Sequence, residues 1–271
     1  MVGGFVCLAQ GLFAQNAAGQ TDKLSIPFRD PNRPGIVRVG ILHGSLTVRA
    51  HAGKDVTVET EVRPAEKEKE LSVPDSARGL RRLNTTGSSI TLEEENNVVT
   101  VSVGHRNRGD NLIVSVPAKT SLKLSVTNGK MLTVEGVDGE MELNATNGGI
   151  TLTDVSGSIV AHSMNGKILA KLKRVDEGKP MSFSAYNSNI DVTLPAVTKA
   201  NLKMQTQNGE VFTDFDVNLQ PNTVTRDDKD GNREGRRRVR YESISTGTIN
   251  GGGPEFSFKN FNGNIYIRKG Q

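Results

Sequence analysis

A three-residue phrase recurs along the second half of the chain: Thr127-Asn128-Gly129, Thr146-Asn147-Gly148, Met164-Asn165-Gly166, Tyr186-Asn187-Ser188 and Gln207-Asn208-Gly209. The asparagines are 19, 18, 22 and 21 positions apart, and alternating apolar and polar residues follow each one. Self-similarity at a fixed period arises when one supersecondary unit stacks on the next, because no single unit can bury its own apolar face. A second series of turns lies between the Asn marks, at Gly136-Val137-Asp138-Gly139 and Asp154-Val155-Ser156-Gly157. Turn glycines therefore fall at 129, 139, 148, 157 and 166. Two short strands and two turns make one coil of about 19 residues.

Within each coil the side chains alternate. Leu122, Leu124 and Val126 point one way while Lys123, Ser125 and Thr127 point the other, and Met141, Leu143 and Ala145 repeat the pattern before Asn147-Gly148. Such period-2 patterning is that of a half-buried strand. The expected fold is an all-β solenoid or β-roll of stacked short strands, with Asn-Gly corners and about 19–22 residues per coil. An antiparallel meander is the rival, since Asn-Gly is also a strong hairpin signal through its tolerance of positive φ. The Asn mark recurs once per two strands, however, and the intervening turn has a different consensus. That favours stacking, in which equivalent Asn side chains lie about 4.8 Å apart and can form a ladder.

The organisation expected from this pattern is a single β-repeat domain over residues 24–271. More irregular strands fill 24–117, among them Gly35–Ile41, Ser45–His51, Asp55–Val62, Val98–Val103 and Leu112–Val116, with a charged surface excursion at 63–83. Regular coils occupy 121–217, a charged loop interrupts at 218–242, and closing coils at 243–271 carry Phe256, Phe258, Asn262-Gly263, Ile265 and Ile267 as a capping element. Tryptophan is absent, aromatics are 4% and Gly numbers 29, a composition suited to stacked aliphatic strands rather than to an aromatic-rich enzyme core. The net charge of +4 is mild, and Lys and Arg are spread among 30 acids, which argues against nucleic acid as a partner.

Residues 1–20 carry no charge, and Val2 to Ala14 is mostly apolar or small. This stretch reads as a signal peptide ending near Leu12-Phe13-Ala14-Gln15, truncated at its N-terminus because no positive region precedes Val2. The expectation is export to the periplasm or cell surface, with no transmembrane span in the mature chain. The one cysteine, Cys7, lies within this segment, so the mature chain has no disulfide, thiolate metal site or cysteine nucleophile.

With its Asn-Gly coils from Ser121 to Phe215, its interleaved Gly-Val-Asp-Gly and Asp-Val-Ser-Gly turns, and its closing Phe-Asn-Gly-Asn-Ile-Tyr-Ile at 261–267, the chain resembles the DUF4097 family of exported bacterial β-solenoid-like proteins, which carry an adhesin label. The resemblance covers about residues 35–271. It implies a non-enzymatic cell-envelope protein, with some relatives tied to envelope-stress systems, and it supplies no catalytic residues.

Little in the sequence suggests catalysis. His43, His51, His105 and His162 are far apart and form no zinc-type pair. Glycoside hydrolysis requires two carboxylates about 5–9.5 Å apart, but Asp138, Asp154, Asp191 and Asp214 do not share one repeat position and read as turn-forming residues. The stretch Thr225 to Asn232 fails as a calcium loop, because Arg226 and Arg237 fall where acidic ligands belong. No metal or cofactor is expected. Gly251-Gly252-Gly253 lacks the Lys of a phosphate loop and reads as a bend.

The one dense basic run holds Arg233, Arg236, Arg237, Arg238 and Arg240. It is a candidate contact with an anionic surface, or alternatively a solvated loop that offsets the acids before it. The turn positions Asn128, Gly129, Asn147, Gly148, Asn165, Gly166, Asn187, Asn208 and Gly209 are assigned to structure, the amides satisfying backbone groups. The functional expectation is an adhesin-like structural or interaction module of the envelope, meeting a glycan, a membrane surface or an envelope protein. The alternatives are an accessory or sensor protein of an envelope-stress pathway and, less favoured, a polysaccharide-active enzyme on a solenoid.

Overall fold

Alternation of Val, Ile and Leu with polar residues drives almost every described segment into strands. The computed structural model describes residues 23–61, 90–104, 111–226 and 241–270; the segment 1–20, the excursion at 63–83 and most of the charged loop lie outside the described residues. The chain opens with β1 (Lys23–Pro27), β2 (Gly35–His51) and β3 (Asp55–Glu61). It continues through β4 (Ile90–Glu95), β5 (Val98–Val103), β6 (Asn111–Pro117) and the long β7 (Thr120–Glu135). Short strands follow: β8 (Met141–Ala145), β9 (Gly149–Ser156), β10 (Ile159–Ser163), β11 (Ile168–Arg174), β12 (Met181–Ala185) and β13 (Ile190–Leu194). The last part holds β14 (Ala200–Asn208), β15 (Val211–Thr213), β16 (Val217–Arg226), β17 (Tyr241–Ile249), β18 (Glu255–Asn262) and β19 (Ile265–Lys269).

From β8 to β13, strands pair with the next strand but one and not with the strand that follows in sequence. The first half of β7 pairs in parallel with β8, β8 with β10, and β10 with β12. The second half of β7 pairs in parallel with β9, β9 with β11, and β11 with β13. This is the solenoid, and parallel pairing excludes the meander here. Leu124, Leu143, Ala161 and Phe183 form one inward row, and Leu132, Ile150, Ile168 and Ile190 face them from the second sheet. All eight are buried. Burying side chains of this size stabilises by about 1.5–3 kcal/mol each against leaving them exposed. In β9 the extra residue Asp154 adopts φ +54° at an irregularity in the register with β11, so that Val155 stays inside.

The stacking order departs from chain order at both ends. Near the N-terminus, β2 lies between the β5/β6 coil and β7: Val37 is in register with Val99 on one side and Leu122 on the other. Near the C-terminus, the β18/β19 coil lies between β12/β13 and β14/β15: Phe258 is in register with both Phe183 and Met204. The segment 243–271 is thus not the closing element expected from its position. Its residues up to Ile249 belong to β17, which runs antiparallel to β14, and its last coil is internal. The physical reason is burial. Phe256, Phe258, Ile265 and Ile267 are all fully buried, which requires a neighbour on each side, and the Phe183 and Phe258 rings stack at 5.5 Å.

Capping falls to other residues. β4 runs antiparallel on β5, β3 on β6 and β1 on β3 at one end. At the other end, β17 covers β14 and β16 covers β17. Phe215 is buried there, with the Lys269 ammonium 5.4 Å from its ring centre. Antiparallel covers of this kind blunt the open edges that a solenoid would otherwise present to another chain. On the second sheet β15 pairs, among the described residues, with β19 alone.

Candidate functional site

The recurring asparagines line one corner of the stack, and their amides bond to each other. Asn147 Nδ2 donates to Asn128 Oδ1 (2.8 Å), Asn165 to Asn147 (2.8 Å) and Asn187 to Asn165 (2.9 Å). The next rung is Asn262, which donates to Asn187 (2.9 Å), and Asn208 then donates to Asn262 (2.7 Å). The ladder therefore inserts a residue from the end of the chain between Asn187 and Asn208. The side chains do not serve the turn backbone as the sequence suggested. Each internal amide donates to one neighbour and accepts from the other. In β2 the corresponding position is His43, in register with Asn128 and exposed.

The glycine beside each Asn has a different task from the one its hairpin propensity implies. Gly129, Gly148, Gly166 and Gly209 do not have positive φ, and neither do their asparagines. A Cβ on Gly148 would lie 2.7 Å from the carbonyl oxygen of Gly129. Gly166 stands in the same relation to Gly148, Gly129 to Gly44, and Gly209 to Gly263. Close approach of successive coils at the corner leaves no room for a methyl group.

The outward side of the first sheet is mostly polar, with Val160 an exposed apolar exception. One register row runs Thr91, Ser102, Gly40, Ser125, Asn144, His162, Ser184, Lys259 and Gln205, crossing from β4 to β14 without a break. His162 Nδ1 lies 3.2 Å from Ser184 Oγ. The neighbouring row runs Glu93, Thr100, Arg38, Lys123, Glu142, Val160, Ser182, Ser257 and Lys203. Lys123 pairs with Glu142 at 3.0 Å. Chain position conceals these rows, because they assemble only once β2 lies beside β7. The signal that could have revealed them was a glycine, Gly40, where alternation calls for a polar side chain.

Two aromatic pairs punctuate the surface. Tyr186 and Phe261 stack at 4.6 Å with planes 3° apart, next to the Asn ladder. Phe212 and Tyr266 stack at 5.3 Å on the second sheet. Both spacings are close to the distance between strands, so one face of each ring is covered by its partner. Beside the second pair, Arg268 lies 5.3 Å from the Tyr266 ring centre and makes two hydrogen bonds to Asp191, at 2.7 and 3.1 Å. Those bonds, followed by the carboxylate's charge, raise the Arg268 pKa above its ordinary value.

The remaining sequence candidates are scattered. Asp138 accepts two hydrogen bonds from Arg174, at 3.0 and 3.1 Å, while Arg174 also reaches Asp176, and Lys179 pairs with Glu140 at 3.2 Å. The charges of Asp176 and then Asp138 raise the Arg174 pKa. Asp214 accepts from the Lys269 backbone N–H at 2.6 Å. His51 accepts from the Gly53 N–H through Nδ1, leaving Nε2 to donate to the Asp55 carbonyl at 2.8 Å. Among the described residues no three His, Cys, Asp or Glu side chains gather as a metal site. Gly251 and Gly252, both at positive φ, bend the chain between β17 and β18, where Asn250 Nδ2 donates to the carbonyls of Ala196 (3.0 Å) and Thr198 (2.7 Å). His105 and the basic run Arg233, Arg236, Arg237, Arg238 and Arg240 lie outside the described residues.

A parallel solenoid with ladder corners defines an all-β repeat protein. Residues 122–250 match the model of the family described as Toastrack DUF4097. No curated protein matches the sequence. Among solved structures, a "putative cell adhesion protein" from Clostridium sporogenes is similar at TM-score 0.44 and 10% identity, covering 93% of this chain and 100% of its own. A "putative adhesin" from Bacteroides fragilis gives 0.29 and 12%, covering 93% and 98%. A "putative lipid binding protein" from Parabacteroides distasonis gives 0.27 and 9%, also covering 93% and 98%.

Proposed function

We propose that this protein is an exported, non-enzymatic module of the cell envelope that acts by adhesion, presenting the outer face of its first sheet to a hydroxyl-rich surface ligand. One observation carries the reading. The row from Thr91 to Gln205 places hydroxyl, amide and imidazole groups in register across the sheet. Parallel strands hold these groups at a regular spacing of about 4.8 Å, and a rigid array of donors and acceptors loses little entropy when a polymer lies along it. The described acids support adhesion over hydrolysis, since Asp138 and Asp191 are each held by an arginine. Among the described residues no helix is long and apolar enough to cross a membrane.

The test is retention on isolated cell-wall polysaccharide. The wild type should be retained, whereas a Ser125→Glu/Ser184→Glu double variant, with its charges on the solvent side of the sheet, should elute early while melting at the same temperature. Equal retention of the two proteins would remove the face from consideration. Release of reducing ends from the polysaccharide would overturn the non-enzymatic reading.

A further inference from the structure

Gly40 has no structural reason to be glycine. It sits in the interior of β2, its φ is not positive, and a Cβ built on it meets nothing within 4 Å. Glycine there weakens the strand by entropy and by packing nothing, and an otherwise unexplained strand glycine marks a place where something approaches the backbone closely. Gly40 lies in a shallow groove of about 480 Å³ lined also by Arg38, Thr100, Ser102, Val103 and Lys123. Arg38 and Lys123 stand directly opposite each other on adjacent strands, an arrangement of like charges that destabilises a sheet unless something compensates it. Glu142 compensates Lys123. Arg38 has no hydrogen-bond or ion-pair partner among the described residues, and Glu93 is separated from it by the Thr100 strand.

We infer that this groove binds a carboxylate carried on a polysaccharide, that is, a uronate-type sugar within an otherwise hydroxyl-rich chain. The inference rests on the adhesion reading above and assigns that face its ligand class. Arg38 supplies the planar fork that matches a carboxylate. Gly40 lets the sugar ring lie against the strand, and the hydroxyls of Thr100, Ser102 and Ser125 meet ring hydroxyls. The polymer then continues along Asn144, His162 and Ser184. A peptide is disfavoured because the backbones of β2, β5 and β7 already pair with neighbouring strands, leaving no edge for strand addition. An anionic membrane is disfavoured because Glu93 and Glu142 flank the cations and would be pressed against its surface charge.

Polygalacturonate and uncharged dextran serve as probes in binding titrations at low and high salt, with vesicles containing phosphatidylglycerol as a third arm. The expected result is binding to polygalacturonate that weakens with salt and weakens about tenfold or more in Arg38→Gln. Gly40→Val should abolish binding while raising thermal stability, opposite signs that misfolding cannot produce. Polygalacturonate affinity that is unchanged in both variants overturns the inference, and so does a preference for the vesicles. Dextran binding that matches polygalacturonate and ignores Arg38 overturns it while leaving the adhesion reading intact. Failure to bind either polymer, with cell-wall retention preserved, does the same.

Discussion

Asn262 donates its side-chain amide to Asn187 at 2.9 Å although 75 residues separate them, and this contact marks the order of the C-terminal coils. Asn208 follows Asn187 in the chain but bonds to Asn262 instead. The ladder thus records that the last coil is threaded between two coils made before it.

Asn262→Ala removes two ladder bonds and Asn208→Ala removes one. At about 0.5–1.5 kcal/mol net for each bond, urea unfolding should show a loss of about 1–3 kcal/mol for Asn262→Ala and about half that for Asn208→Ala. A larger loss for Asn208→Ala than for Asn262→Ala would mean that the ladder runs in chain order.

Gly166→Ala and Gly40→Ala are the same chemical change in opposite surroundings. A methyl group at 166 collides with the Gly148 carbonyl, whereas at 40 it enters open space. The first should cost about 2–4 kcal/mol by forced separation of coils. The second should be neutral or stabilise by up to about 1 kcal/mol. Thermal melts of the two variants decide between this account and a merely conformational role for the corner glycines.

Deleting 255–271 removes β18 and β19 from inside the stack. In a chain-order solenoid, losing the terminal repeat shortens the array by one coil and leaves the rest folded. Here it uncovers Phe183 on one side and Met204 on the other and detaches β14 to β17 together. Hydrogen exchange should show protection lost throughout 200–226 and 241–249, not only at the truncated end.

Glu210 and Asp216 flank the exposed β15 edge, where Val211 and Phe212 remain 36% and 45% accessible. Self-pairing of two such edges brings like charges together, a common device against edge-to-edge association. Glu210→Gln/Asp216→Asn should therefore self-associate with rising concentration, as measured by light scattering on a sizing column. A strictly unchanged mass would assign these acids no such role.

Asp55 is held below the ordinary carboxylate range, first by the Ser25 hydroxyl that donates to it and then by a backbone hydrogen bond. A depressed folded-state pKa contributes stability that is complete above the unfolded value, about pH 4, and is lost as pH falls through the folded value. Exchange protection in β1, which pairs only with β3, should fall on acidification below about pH 4. Ser25→Ala should flatten that dependence.

Much of the local architecture could be read from residues alone. Alternation at Leu122, Leu124 and Val126 made strands, and the recurrence of Asn128, Asn147 and Asn165 marked stacked coils, because register in a parallel stack must equal the repeat length. The task of the corner pair was less legible. Asn-Gly satisfies a hairpin through positive φ and a solenoid corner through an amide ladder with close approach, and a single coil does not distinguish the two. Gly40 showed only as a break in alternation, since Arg38 and Lys123 are 85 residues apart until β2 settles beside β7.

The amino-acid pattern by itself determined that this chain makes short strands, turns at fixed intervals and coils with one apolar interior, because side-chain alternation and turn chemistry are local. Only the tertiary structure decided which coil lies beside which. Every coil offers nearly the same edges and the same inward rows, so local pattern leaves the order degenerate. The choice falls to non-local burial: four large apolar side chains, Phe256, Phe258, Ile265 and Ile267, that are covered only when their coil has a neighbour on each side. The outer face, with its glycine gap and unpaired arginine, is a product of the same ordering at the other end.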